Sequence, residues 1–559
     1  MKAVQRLQKP VLITLVIGGL LCAAYDLWTA AQYEMLQTIW GDSGVFWAVG
    51  RGMINGLQPY TDLFEIKPPG IFWTSALSLG IGGNMVIGHA ISAAAICLVP
   101  GLLLLSKPRS GKMTIVLTLL LGTLLSGFTS LNAGEYQVEA FGSFFGIAYA
   151  VIMQRSFSKM VRYRDIAAAT VAIGGAIAFK EPFLLSCAAI GLLYAEKPQR
   201  FCTMFLVPLL FALVLGTGIF YLLGYLDPYL NVYLAEMMGN HVYRYGSPLT
   251  RGLDVTRLLV HATQFSPFFF LLLLGCIASF IRSTGRIITR FEKYNIWLVG
   301  VSVIALVIPS LFHQLAIYIV APSETMRSLL WVGYYVRVIA GIGFIIGSIN
   351  VVRLDPAPSR ILRVIGALIL ATLAAGSGGE FYGHHFVFAV PVFAALMLLW
   401  LHSDRNPRTN RLAAAIMILI FATTFFHTRR NNAEALRLAD SSVPQLTASE
   451  IDRILDACGQ DRYMHIGGLT STFGFTKHSP LGPLFWQRND LLDDEHAYFQ
   501  KSILSALEQA DTVLYREDRL GDIYDEVHDY LTKNFNTTPP ACAGAVQPNL
   551  DGQLLFRKS

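Results

Sequence analysis

The chain is 559 residues long, 54% hydrophobic and only 14% charged, with a mean hydropathy of +0.50. That is too apolar for a soluble protein of several domains and describes a polytopic membrane protein, in which each spanning helix needs about 20 apolar residues. The net charge of +6 hides a split: residues from Thr428 onward carry 13 basic and 19 acidic side chains, the part before it 30 and 18. The basic excess therefore belongs to the apolar part, where it reports membrane orientation and gives no sign of a nucleic-acid partner.

Taking apolar runs as spans and Lys/Arg clusters as cytoplasmic predicts about thirteen transmembrane helices over residues 1–427. Lys2, Arg6 and Lys9 ahead of Cys22-Ala23-Ala24 faintly resemble a signal peptide. The apolar run continues to Ala31, however, so 11–31 reads as the first span. Residues 32–83 form the first outer loop, in which 71–79 dips against the membrane. Spans at 84–105 and 113–131 flank the inner cluster Lys107, Arg109 and Lys112. A fourth span begins after 132–137 and ends at Arg155, followed by Lys159, Arg162 and Arg164. Two short spans, 166–179 and 182–194, hinge at Lys180-Glu181. The seventh, 201–223, opens onto an outer loop over 224–261. Spans at 266–281, 296–312, 329–350, an eleventh that exits at 376–385, a twelfth after it and a thirteenth at 412–426 complete the set. The seven inner segments then hold 22 of the 30 basic residues against 5 of the 18 acids, as the positive-inside rule requires.

Residues 428–559 read as a small extracytoplasmic α/β domain, long enough for its own core. Amphipathic helices are predicted at 448–458, 496–510 and 518–535, with short buried strands at 463–466, 512–515 and 553–556. Cys458 and Cys542 either pair, if the compartment is oxidising, or are both free. Asn536-Thr537-Thr538 is a glycosylation sequon, which matters only in a host with that machinery. No Cys-x-x-Cys occurs, and five of the seven cysteines lie in apolar spans as small core residues.

The chemistry concentrates in the first outer loop. Asp42 opens a short helix over 43–54, a turn Asn55-Gly56-Leu57-Gln58-Pro59-Tyr60 follows, and Asp62, Glu65 and Lys67 then stand against Pro68-Pro69. Charges beside a hydrocarbon core need partners, water or a task. Asp42 reads as a helix N-cap or as a general base, and the two are compatible because capping fixes the side chain. Lys67 is placed like a clamp for a lipid phosphate; the alternative is snorkelling. Arg51 is a second phosphate cation or a contact to anionic lipid. Glu135 and Glu139, one helical turn apart at the start of the fourth span, are able to face one cavity; Glu135 equally suits a cap, and Glu139 lies deeper. Lys180 and Glu181 are expected to neutralise each other. His384-His385 opens the twelfth span as either a structural pair or part of an outer site.

Together the Asp42 loop, the Pro59-Tyr60…Phe64-Glu65-Ile66-Lys67-Pro68-Pro69 run, the Gly383-His384-x-Phe386…Pro391 segment, the span count and the outer α/β tail resemble the GT-C superfamily. More narrowly they resemble bacterial relatives of protein O-mannosyltransferases and lipid A aminoarabinose transferases. The resemblance implies a GT-C fold and an inverting glycosyltransferase that moves a sugar from a polyprenyl-phosphate donor to an extracytoplasmic acceptor, a cell-envelope glycolipid, polysaccharide or protein. It implies Asp42 as the catalytic carboxylate of the first outer loop, Lys67 as the donor-phosphate lysine with Arg51 and His384 beside it, and Tyr60, Glu65, Glu135, Glu139 and His385 around the substrate or acceptor. The chain departs from some members in Asp42-Ser43, where they have Asp-Glu, and in Ile66, which separates a Glu and a Lys adjacent elsewhere. No cofactor is expected, and a divalent cation has no support in this loop. The implied location is the bacterial inner membrane, multi-pass, with site and tail on the periplasmic side. A transporter or flippase of lipid-linked sugars is the alternative. It would show inverted repeats and mid-membrane charges, whereas no repeat is evident and the charges sit at the outer edge. A receptor sensing through the tail leaves the loop charges unexplained.

Overall fold

The structure is a computed structural model that describes residues 2–35, 42–106, 112–157, 159–236, 301, 358–377, 383–403, 443–467, 471–482, 497–516, 525–547, 550 and 552–558. The expected spans at 266–281, 296–312, 329–350 and 412–426, and the boundary between the two parts of the chain near residue 428, lie outside the described residues.

The regular structure of the apolar part is helical, and residues 55–69 form a non-helical connection. Its elements are α1 (Lys2–Met35), α2 (Asp42–Ile54), α3 (Gly70–Gly82), α4 (Val86–Cys97), α5 (Val99–Leu104), α6 (Lys112–Ala133), α7 (Val138–Ser156), α8 (Tyr163–Phe179), α9 (Phe183–Tyr194), α10 (Pro198–Phe201), α11 (Val207–Leu223), α12 (Pro358–Gly376) and α13 (Val390–Ser403). Among the described residues, one continuous run, Pro198–Leu223, is long and apolar enough to cross a membrane, and shorter apolar helices include Val86–Cys97, Thr114–Ser130, Phe183–Tyr194 and His384–Leu399. The expected second span is not one straight helix. It breaks between α4 and α5 at Leu98, because Pro100 near the start of α5 has no N–H to continue the ladder. The seventh contains a π-helical turn, Cys202–Leu206, just before Pro208.

α6, α7, α8, α9, α12 and α13 bury a common core that includes Phe128, Tyr149, Phe183, Tyr194, Phe388 and Phe393. The stretch 71–79 belongs to α3, whose buried residues include Ile71, Phe72, Ser75 and Ser78. α3 packs against α2 closely enough that a Cβ on Gly50 would lie 2.5 Å from the Ser75 Cβ. At the start of α3, a Cβ on Gly70 would lie 2.5 Å from the Ala178 carbonyl oxygen, so the end of α8 abuts the loop that carries Lys67. Only glycine admits such approaches without displacing backbone.

The tail is a four-stranded sheet of order β1-β2-β4-β3, with β1 (Tyr463–Ile466) parallel to β2 (Thr512–Tyr515), and β4 (Gln553–Arg557) antiparallel to both β2 and β3 (Phe535–Asn536). Met464 pairs with Val513 and Val513 with Leu555. Successive strand residues point to opposite faces. Tyr463, Leu514, Leu554 and Phe556 accordingly pack on α14 (Val443–Cys458) through Ile451, Ile454 and Leu455. Met464, Ile466, Val513, Tyr515 and Leu555 pack on the other side with Ile503 and Leu507 of α16 (Ala497–Gln509) and Val527 and Leu531 of α17 (Asp525–Asn534). A short fourth helix, α15 (Ser471–Phe475), lies between β1 and α16 in the chain. Cys458 at the end of α14 is bridged to Cys542 across 84 residues of sequence. The predicted strands at 463–466 and 512–515 form as expected, and the last one extends by one residue. Asn536 falls in β3, where its side-chain oxygen accepts from the Thr538 N–H.

Candidate functional site at the first outer loop

Two elements bring the site together. α2 presents Asp42 as its first residue, where the helix dipole favours an anion. The connection 57–69 then folds back along α2. Tyr60 adopts left-handed backbone (φ 69°), its N–H donates to the Leu63 carbonyl at 2.8 Å and its hydroxyl donates to the Lys67 carbonyl at 2.9 Å. Tyr60 thus serves the loop as a brace, with its ring packed on Tyr233, 4.9 Å between centroids.

The brace turns Lys67 back onto Asp42. The Lys67 Nζ lies 3.3 Å from Asp42 Oδ2 and 3.4 Å from Glu65 Oε1, and 5.9 Å from the centre of the Phe46 ring. The Glu65 side chain is fully buried and that of Lys67 11% exposed, whereas Asp42 keeps 35% of its exposure. The carboxylate is therefore enclosed by protein on most sides and open on one. Burial by itself would push the Asp42 carboxyl up; the Lys67 ammonium, with His384 and Lys180, outweighs it and holds the carboxyl below its ordinary range. Burial works on Glu65 in the same direction and wins there, so its carboxyl is raised despite Lys67. Burial would also lower Lys67, but Asp42, Glu65 and Glu139 prevail and hold it firmly protonated.

Glu139, in the first turn of α7, is buried and interacts electrostatically with Lys67, Lys180 and His384. Its Oε2, like Oε2 of Glu65, has no hydrogen-bond partner among the described residues. His384 stands in a 3-10 turn (Gly383–Ala389) leading into α13 and faces the same charges. Its neighbour His385 is buried and stacks on Phe388, 6.0 Å away. The structure therefore gathers Asp42, Glu65, Lys67, Glu139 and His384 into one charged cluster whose exposed member is Asp42, with Tyr60 and His385 as supports.

Two predicted site residues lie elsewhere. Arg51 donates to the carbonyls of Phe473 and Gly474, each at 3.1 Å, at the end of α15 in the tail. Glu135 takes the Tyr33 hydroxyl as a hydrogen bond and sits in a turn where it and Tyr136 both have φ 65°. Consecutive left-handed residues aim their N–H groups at one point, and Glu34 fills it. Its Oε1 accepts from the Glu135 N–H (2.8 Å), and its Oε2 from the Tyr136 N–H (3.2 Å) and the Ser92 hydroxyl (2.8 Å). One helical turn separates Glu135 from Glu139 in sequence, but α7 begins only at Val138, so the two do not share a face.

Sequence reasoning missed Glu34, whose acidic position near the end of the first span was the available signal. Lys180 does feel Glu181, as expected, but not Glu181 alone. Glu181 accepts a hydrogen bond from the Tyr233 hydroxyl, while Lys180 feels Lys67, Glu139, Glu181 and Asp42. Its place at the outer end of two short spans was visible; what faced it was not. Among the described residues, no group of three or more His, Cys, Asp or Glu side chains is arranged to hold a metal ion.

No protein-family model matches the chain, and no curated protein matches its sequence. Among solved structures it is similar to ArnT from Cupriavidus metallidurans bound to undecaprenyl phosphate. The two share 15% identity and a TM-score of 0.49, over 96% of this chain and 97% of that one.

Proposed function

We propose that the protein is a membrane glycosyltransferase of GT-C type that transfers a sugar from a polyprenyl-phosphate donor to an acceptor on the outer face of a bacterial inner membrane. The observation that carries this reading is the ammonium of Lys67 held 3.3 Å from a carboxylate, Asp42, that stays 35% open. The pair stands in a loop flanked by apolar helices. A phosphosugar needs a cation at its phosphate and a base at the acceptor hydroxyl, on opposite sides of the anomeric carbon.

The proposed chemistry gives the two members of the pair different tasks. Polyprenyl phosphate is a good leaving group, so one base suffices for an inverting displacement. Asp42 takes the proton of the acceptor hydroxyl, which attacks the anomeric carbon as the bond to the phosphate oxygen breaks. Lys67, with Lys180 and His384 nearby, offsets the charge gathering on the departing phosphate. The unpartnered Oε2 atoms of Glu65 and Glu139 are acceptors for sugar or acceptor hydroxyls. The Cys458–Cys542 bridge supports an oxidising compartment for the tail, in keeping with the excess of basic residues on the opposite side.

The test is transfer from labelled polyprenyl-phosphate sugar by the purified protein in detergent, where a flippase has no second compartment and shows nothing. Asp42→Asn should lower kcat by about 10²- to 10⁴-fold and leave polyprenyl-phosphate binding intact. Wild-type turnover in this variant would remove the base assignment.

A further inference from the structure

The residues between and beside the charged ones are as informative as the charges. Phe64 and Ile66 are 2% and 6% exposed. They join the apolar cluster on one face of the tail sheet, with Met464, Ile466, Ile503, Leu507 and Val513. Lys67 instead pairs with Asp42, and Glu65 with Lys67. Over 64–67, therefore, Phe64 and Ile66 are tail core while Glu65 and Lys67 belong to the site. On α2, Arg51 stands nine residues after Asp42, about 13.5 Å along the axis, and its guanidinium bridges the Phe473 and Gly474 carbonyls. These are terminal carbonyls of a short helix, left open to donors from outside it; the Phe473 carbonyl also takes the Thr476 hydroxyl at 3.2 Å. The Phe473 ring enters the same apolar cluster as Val45, Phe46 and Tyr60, and Asn55 donates to the Ser479 hydroxyl at 3.0 Å.

We propose that the C-terminal domain is a working part of the site, and that Arg51, Phe64 and Ile66 are positioning residues through which it sets the spacing between Asp42 and Lys67. The element carrying the base and the loop carrying the cation are each fastened to the tail, by a polar fork in one case and an apolar plug in the other. Undocking the tail would leave Phe64 and Ile66 in water and free Lys67 to leave Asp42. The inference rests on the proposed roles of Asp42 and Lys67, but the fastening itself is independent of any ligand.

The experiment uses the full-length protein in detergent, with undecaprenyl phosphate as probe and amide hydrogen exchange of residues 62–67 as a ligand-free readout. Arg51→Gln and Ile66→Ala should each speed exchange at 62–67 while strands 463–466 and 512–515 stay protected, and each should weaken undecaprenyl phosphate binding about tenfold. Arg51→Lys should not restore binding, because one ammonium cannot reach two carbonyls as a planar fork does. Weaker binding by Arg51→Gln with unchanged exchange at 62–67, restored by Arg51→Lys, would mean that Arg51 touches the phosphate itself and would overturn the proposal. So would wild-type exchange and wild-type affinity in both variants. If a variant loses protection in the tail strands as well, Ile66→Val replaces it: the proposal then requires a smaller acceleration at 62–67 alone, and none overturns it. Failure of the wild-type protein to bind undecaprenyl phosphate, with the exchange changes present, would count against the donor reading and leave the fastening standing.

Discussion

Replacing Lys67 by Met separates what the ammonium does for the fold from what it does for a phosphate. The Glu65 side chain is fully buried, and its Oε1 has Lys67 at 3.4 Å. Asp42, 35% exposed, recovers water when the ammonium is lost; Glu65 does not. Removing one partner of a buried ion pair costs about 3–5 kcal/mol, because the other charge is left uncompensated. Lys67→Met should therefore destabilise by that amount. Adding Glu65→Gln should recover part of it, leaving about 1–3 kcal/mol for the imperfectly bonded buried amide. Binding should behave differently. A charge-assisted hydrogen bond to phosphate contributes about 1.5–3 kcal/mol, or roughly 10- to 150-fold in Kd, and the double variant should not regain it. Thermal unfolding in detergent and undecaprenyl phosphate titration on the wild type, both singles and the double form the required cycle. A single variant as stable as wild type would refute the buried-pair reasoning. A double variant that binds as tightly as wild type would refute the phosphate role.

Further outcomes follow from the same structure. With Asp42 held below the ordinary carboxylate range, its base form is present at every pH above about 4, so kcat should be flat from about pH 5 upward and fall only below. Lys180→Met removes one of the cations that lower this carboxyl and should move the acid limb up; an unmoved limb would exclude Lys180 from the site. Opening the Cys458–Cys542 bridge by Cys458→Ser with Cys542→Ser removes a cross-link spanning 84 residues. This should cost about 4–5 kcal/mol on the chain-entropy account, and a denaturation curve of the tail indifferent to reductant would contradict it. Gly50→Ala places a methyl 2.5 Å from the Ser75 Cβ and 2.8 Å from the Ala76 nitrogen. The overpacking should cost about 1–3 kcal/mol, and an unchanged unfolding midpoint would show that α2 and α3 separate readily.

The sequence by itself determined what periodicity and composition encode locally. Apolar run lengths placed helices such as α7, α9 and α11, because a span must satisfy its backbone internally. Alternation and β-branched or aromatic content placed β1 and β2. The conjunction of Asp42, Glu65 and Lys67 was legible because charges are costly where hydrocarbon begins. Tertiary structure decided which groups face one another. Arg51 and Lys67 look alike in sequence, a cation in an outer loop, yet one forks onto tail carbonyls and the other closes on Asp42. Glu135 and Glu139 look like one face of a helix, but two left-handed residues held by Glu34 end the regular geometry between them. Lys180 and Glu181 are neighbours in the chain, but Tyr233 takes the acid. Ile66, which reads as an interruption of a charged motif, becomes the plug that fastens the loop to the tail sheet. In each case the partner lies 25 or more residues away in sequence or requires a backbone conformation that no local pattern announces, and such contacts are set by the packing of the whole chain.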